Sequence, residues 1–256
     1  MVTIALLVKI TQISEKSVYL SILIVKKMKS NTYFKDTALD ALKGNWLNAV
    51  LATLVYLLIV CLIAGPGFFM YLNMDFDSLS TDPNAALEAM APIYRTSTIT
   101  FLVEVFLLFP LVISYLNSFR KLLVNRDSNL VRNTLDFSNY WNKVGAMILM
   151  YVFIFLWSLL FIIPGIIKTF SYAMTPYILD ENPDLGPSEA IHRSRLMMKG
   201  HKFDLFWLWL SFIGWGLLCL LTCGIGTLWL NGYMYTATAA FYEEVKAEYA
   251  LNGGLD

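Results

Sequence analysis

The sequence predicts an all-α, polytopic transmembrane helical bundle of about six spans, built as three helical hairpins, with a cytosolic amphipathic interfacial helix. Three observations carry that prediction. Hydrophobic residues make up 57% of the 256-residue chain and charged residues only 15%, against about 25% charged in a soluble domain. That leaves too little polar surface to face water on every side. The charges are also segregated, with no Asp, Glu, Lys or Arg between Gly44 and Met74, from Val144 to Ile167, or between Asp204 and Glu243. Finally, the bases gather in connectors and the acids in one loop, the asymmetry that orients membrane helices. With 19 basic and 19 acidic side chains the formal net charge is zero, and nothing in it points to nucleic acid.

Residues 1–27 form an N-terminal extension with two apolar runs, Val2–Val8 and Val18–Val25, separated by Lys9, Glu15 and Lys16. Each run is too short to cross about 30 Å of hydrocarbon, and there is no basic n-region or small-residue cleavage site of a signal peptide. Met28 is the expected initiator. It opens a cytosolic lead-in, 28–46, whose segment 33–43 reads as an amphipathic helix with Ala38, Leu39, Ala41 and Leu42 on one side. Trp46 is an interfacial anchor.

The transmembrane domain is expected over 47–246. Span one runs over 47–70 and is broken near its far end by Gly65-Pro66-Gly67. An acidic loop with Asp75, Asp77, Asp82 and Glu88 follows. Span two, 99–119, contains Glu104 and Pro110. Then comes a basic connector holding Arg120, Lys121, Arg126, Arg132 and Lys143 against Asp127 and Asp136. Span three is 144–163, and the chain turns at Pro164-Gly165.

Beyond that turn, a far-side loop would put Lys168, Arg193, Arg195, Lys199 and Lys202 beside the acidic loop, against the positive-inside rule. A short fourth span over 165–179 puts the basic helix in the cytosol and is preferred. The 38 uncharged residues between Asp204 and Glu243 would make a helix of about 57 Å, too long for one crossing, so they fold at Thr222–Gly226 into spans 205–222 and 226–243. A cytosolic tail, 247–256, completes a chain with both termini inside. Trp46 precedes Gly67 by 21 residues, Lys143 precedes Gly165 by 22 and Lys202 precedes Gly224 by 22. Those spacings fit either a threefold hairpin repeat or the common length of helical hairpins.

Helix 187–199 opens on Pro187 and ends before Gly200, as helix punctuation demands. Ala190, Ile191, Ser194, Met197 and Met198 share one face. His192, Arg193, Arg195 and Lys199 lie off it and, with Lys202, are candidate contacts for anionic lipid. Glu104 and Lys168 are the charges placed inside spans, and an intramembrane charge is a functional candidate. Their depths from the far side would let them pair across spans two and four.

No metal, cofactor or catalytic site is expected. His192 and His201 have no HExxH setting, Ser194 has no GxSxG setting, and there is no phosphate-binding glycine loop. Cys61, Cys219 and Cys223 sit in apolar runs and read as small apolar residues.

Four stretches resemble a family of small bacterial integral membrane proteins known as domain of unknown function 975: ALKGNW at 41–46, LLFIIPGIIKTFSYAMTPYIL at 159–179, EAIHRSRLMMKGHKFDLFWLWLSFIGW at 189–215, and AAFYEE at 239–244. The Pro-Gly turn with its short span and E-A-x-x-x-S helix is similar, more distantly, to the membrane domain attached to some glycerophosphoryl diester phosphodiesterases. The resemblance implies a fold and a membrane address without an activity. The expected function is a non-enzymatic, multi-pass cell-membrane protein that binds membrane lipids, including anionic ones, or a protein partner. The alternative is a small transporter with a polar site around Glu104 and Lys168.

Overall fold

The computed structural model describes residues 28–73 and 83–251. The extension 1–27, on which the expected start at Met28 bears, lies outside the described residues, as do Asp75, Asp77 and Asp82 of the acidic loop. Among the described residues every regular element is helical.

Helix α1 (Asn31–Leu42) begins where the Ser30 hydroxyl accepts the Tyr33 N–H at 3.3 Å, satisfying one donor of the first turn. It buries Phe34, Ala38, Ala41 and Leu42, a single stripe at helical spacing. Leu39, expected on that stripe, is 41% exposed, because it lies about 100° away from Ala38.

Helix α2 (Trp46–Leu72) runs straight through Gly65-Pro66-Gly67, which corrects the expected break. An interior proline costs about 3 kcal/mol. Ending the helix in hydrocarbon would strand several backbone groups at several kcal/mol each, so continuing is the cheaper course.

Helix α3 (Pro83–Val103), a π-helical turn (Glu104–Leu108) and α4 (Phe109–Asn125) form one continuous rod that contains the expected span 99–119 and overshoots it at both ends. Pro110 lacks the N–H that would bond the Phe106 carbonyl. That carbonyl instead accepts the Tyr140 hydroxyl at 2.6 Å. The π-turn sits where the regular pattern is already interrupted, as the Phe109 N–H bonds Glu104.

After α5 (Leu130–Thr134), α6 (Tyr140–Leu160) turns over at the extended residue Phe161 into α7 (Ile162–Tyr172). The reversal thus lies three residues before Pro164, which falls in the first turn of α7, where its missing N–H costs nothing. Gly165 makes this hairpin tight: a Cβ there would come within 3.1 Å of the Ser158 Cα.

The expected fourth span, 165–179, is helical but interrupted. Helix α7 stops at Tyr172 and α8 (Thr175–Glu181) follows. Helix α9 (Pro187–Met197) supplies the repair: the Ser194 hydroxyl donates to the Ser171 carbonyl at 3.0 Å and accepts the Met174 N–H at 3.2 Å. A backbone break that would strand buried polar groups is closed by one side chain.

The expected span 205–222 likewise divides into α10 (Lys202–Leu210) and α11 (Ile213–Leu221), and Lys35 of α1 donates to the carbonyl of Ser211 in the gap at 3.1 Å. The turn at 222–226 occurs as expected, with Gly224 at φ +86°. Helix α12 (Thr227–Leu251) then continues well past residue 243, so the first residues of the expected tail, from 247, are helical.

The larger core gathers around α12. Ala237, Ala239, Phe241, Tyr242 and Val245 are buried against α1, α8, α9 and α10, with the Phe34 and Phe241 rings 5.5 Å apart. A second cluster joins α2, α4 and α5 through Ala49, Ala52, Tyr115 and Leu130. Outside these cores the apolar side chains point outward, as at Leu62 (79% exposed), Leu159 (66%) and Leu221 (82%). Among the described residues four helical stretches are long and apolar enough to cross a membrane, Trp46–Phe69, Met90–Asn125, Tyr140–Leu160 and Lys202–Leu221, the last counting α10 and α11 together. Apolar outer faces on such helices mark a membrane-embedded chain.

Candidate functional site

Two clusters of charge stand out, one buried and balanced, the other open and mainly basic. The buried cluster forms where α4, α6, α8 and α12 meet. Lys143, on the first turn of α6, is fully buried. Its ammonium donates to the Ser114 hydroxyl at 2.9 Å and the Asp136 carbonyl at 3.1 Å, and lies 4.0 Å from the Asp180 carboxylate. Lys121 stands 3.5 Å from both Asp136 and Asp180.

Next to Lys121 in the chain, Arg120 lies 2.8 Å from Glu181 and 3.0 Å from Glu243. Glu181 also receives Lys246 and the Tyr242 hydroxyl. Asn117 completes the group by donating to Ile113 and Pro176, each at 2.9 Å. Four cations (Arg120, Lys121, Lys143, Lys246) thus face four carboxylates (Asp136, Asp180, Glu181, Glu243). Buried charges persist only when paired and hydrogen-bonded, and these are. With its charge balanced internally, the cluster holds helices together and has no net charge for a ligand to neutralise. Two buried hydroxyls nearby, on Tyr177 and Thr175, have no hydrogen-bond partner among the described residues.

The open cluster surrounds the end of α9. All five residues of the apolar stripe, Ala190, Ile191, Ser194, Met197 and Met198, are buried, which fixes the opposite face outward. Of the sequence-derived lipid contacts, His192, Arg195 and Lys199 are exposed and Arg193 is half-buried. Arg193 is already engaged by Glu189 at 3.1 Å. Among the described residues Arg195 bonds the His192 ring alone, at 3.0 Å. Gly200, at φ +98°, reverses the chain into α10 and brings Lys202 alongside.

Lys168 belongs to this second cluster. The structure does not bring it together with Glu104, and no ion pair joins the two. Its ammonium stands 4.3 Å over the Trp157 ring, a cation–π contact within the α6–α7 hairpin, and the charges acting on it are Arg195 and Lys202. Glu104 opens the π-turn on another helix. Counting residues in from an assumed far-side edge set the two at similar depth, but depth alone carries no information on which helices are neighbours.

An apolar groove of about 350 Å³ opens beside the basic cluster. Ile166 and Phe170 of α7 face Phe203 and Phe206 of α10 across it, and Lys199 and Lys202 stand at its rim. Edge-to-face packing of Phe170 on Phe206, centroids 5.8 Å apart, sets the depth of the groove.

Among the described residues no group of three or more His, Cys, Asp or Glu gathers in a way that could hold a metal. Cys61 and Cys223 are exposed free thiols and Cys219 is a buried one. Of the residues in the buried cluster, Arg120, Lys121 and Lys143 read in sequence only as connector charges and Glu243 only as the charge that closes the last uncharged block. Their one signal is position, each lying at the edge of an uncharged block.

Residues 159–249 match the family described as "Protein of unknown function (DUF975)", which places the α7–α12 region, with the Ser194 clamp and the basic cluster, inside the family signature. No curated protein and no solved structure matches the chain.

Proposed function

We propose that this is a non-enzymatic, multi-pass protein of the cell membrane, which holds anionic phospholipid at its cytosolic face through the basic surface at the end of α9. In this reading the chain crosses six times as three hairpins, with α7–α8 and α12 serving as the shorter or more polar return limbs. Both termini and α9 lie in the cytosol, where the positive-inside rule puts such a surface. The observation that carries the reading is that Arg195, Lys199 and Lys202 make no ion pair among the described residues, whereas every charge of the buried cluster is paired. Cations left outward beside an apolar belt attract anionic headgroups, at about 1 kcal/mol per basic residue.

The test is thermal unfolding of the purified protein in mild detergent with added phospholipid. Phosphatidylglycerol should raise the melting temperature by mass action and phosphatidylcholine should not, and Arg195→Gln with Lys199→Gln should shrink the difference. Equal responses to the two lipids in the wild type would overturn the reading.

A further inference from the structure

We propose that His201 is a proton-operated latch that ties the basic α9–α10 turn to the end of α12, and that it regulates the lipid surface at that turn; only the second part rests on the reading above. The turn pivots on His201. Its N–H bonds the Met198 carbonyl at 3.3 Å, its carbonyl accepts the Leu205 N–H at 3.1 Å, and Gly200 before it reverses the chain at φ +98°. The ring is 16% exposed, and both of its nitrogens face carboxylates. Nδ1 lies 3.4 Å from Asp204 in the first turn of α10, and Nε2 lies 3.5 Å from Glu248 near the end of α12.

That arrangement suits the imidazolium and not the neutral ring. A neutral imidazole has one N–H and one lone pair, so one of its nitrogens would confront a carboxylate that has no proton to give. The protonated ring donates from both nitrogens and joins the turn to α12 through charge-assisted contacts. Histidine is the side chain that changes charge between pH 5 and 8, so the link is complete in mild acid and weakened in mild alkali. Of the other titratable groups on the surrounding elements, Arg195 is on His192, Lys35 of α1 is on Ser211, Glu244 is paired with Lys29 at 2.8 Å, and Tyr249 packs at the edge of the core. Lys199 and Lys202 flank His201 in the chain. In acid the latch fixes the backbone that carries both and adds a third charge beside them. In alkali the turn loses a tether and a charge together, and its hold on an anionic headgroup weakens.

The experiment is a double-mutant cycle of His201→Gln and Glu248→Gln on the full-length protein, read by thermal unfolding in uncharged detergent near pH 5.5 and near pH 8, the limits between which histidine titrates. It is run without lipid, with phosphatidylglycerol and with phosphatidylcholine. Without lipid, each single variant should lower the melting temperature by about 2–4 °C in acid, and the double should lose less than their sum. That coupling should vanish in alkali. His201→Lys, charged at both pH values, should keep the stability and lose the pH dependence. Phosphatidylglycerol should raise the melting temperature further in acid than in alkali in the wild type, and equally at both in His201→Lys. Additive losses in acid, or the same coupling at both pH values, overturn the latch and leave the preference for anionic lipid standing. The expected coupling with an equal response to phosphatidylglycerol at both pH values overturns the regulation alone. The expected coupling with equal responses to the two lipids overturns the lipid reading and leaves the latch.

Discussion

The Arg120 guanidinium lies 2.8 Å from the Glu181 carboxylate, tying the middle of α4 to the end of α8, 61 positions further on. Glu181 is the hub of the buried cluster, since Arg120, Lys246 and Tyr242 all converge on it. Glu181→Gln should therefore lower stability by about 3–5 kcal/mol, because it leaves Arg120 with a weaker partner in a buried place. Tyr242→Phe, which removes one hydrogen bond to a charged group, should cost about 1.5–3 kcal/mol. Thermal unfolding in detergent measures both. A Glu181→Gln protein as stable as the parent would show that Glu243 alone satisfies Arg120.

The Tyr140 hydroxyl takes the carbonyl that Pro110 leaves without a donor. Tyr140→Phe should then cost about 1–3 kcal/mol, the price of an unpartnered carbonyl. In a Pro110→Ala background the alanine N–H can close that bond itself, so the same substitution should cost much less. The two changes form a double-mutant cycle, and additive losses would show that the hydroxyl and the proline are unrelated.

Neither relationship is legible in the sequence, although much of the helical framework is. Uncharged blocks gave the helices, because hydropathy is a local property that hydrocarbon enforces on each segment separately. The buried stripe of α9 was legible for the same reason: Ala190, Ile191, Ser194, Met197 and Met198 share a face by spacing alone. Which helix lies beside which was not, because neighbours are chosen by side-chain fit between distant segments. That is why depth along the chain suggests a Lys168–Glu104 pair, whereas Lys168 stands with Arg195 and Lys202. Pro66 misled in the other direction, since a rule for helices in water overstates how readily a membrane helix ends.

Asp136 gives the connector between α4 and α6 a predictable response to acid. Burial works against its charge, but the Ser138 backbone N–H, the Ser138 side chain, and Lys143 and Lys121 outweigh it and hold the carboxyl below the ordinary aspartate value of 3.8. A carboxyl depressed on folding contributes stability that is present above its unfolded value and is lost as pH falls through its folded one. Stability should therefore decline below about pH 4, and Asp136→Asn should flatten part of that decline. An identical acid limb in the variant would remove Asp136 from the account.

The proposed sidedness can be read with an impermeant thiol reagent on intact cells, in a background with Cys61, Cys219 and Cys223 replaced by alanine. Asn73, exposed at the end of α2, should label from outside as Asn73→Cys. Asn129, in the connector before α5, and His192 on α9, both exposed, should label as Asn129→Cys and His192→Cys only after the cells are opened. External labelling at position 192 would place α9 on the far side and remove the six-crossing arrangement.

Glu104 and Lys168 make a further test, because their separation predicts independence. Residues that share no contact and no network lose stability additively, within about 0.3–0.5 kcal/mol. Glu104→Gln and Lys168→Met should therefore sum in the double mutant, measured by thermal unfolding in uncharged detergent. Lys168→Met should also be neutral or stabilising there, since it relieves repulsion from Arg195 and Lys202 while losing cation–π contacts with Trp157 and, at longer range, Tyr172, together about 0.5–2 kcal/mol. A double mutant that recovers stability lost in each single one would instead show that the two charges meet across the bundle, and would return Lys168 to the interior.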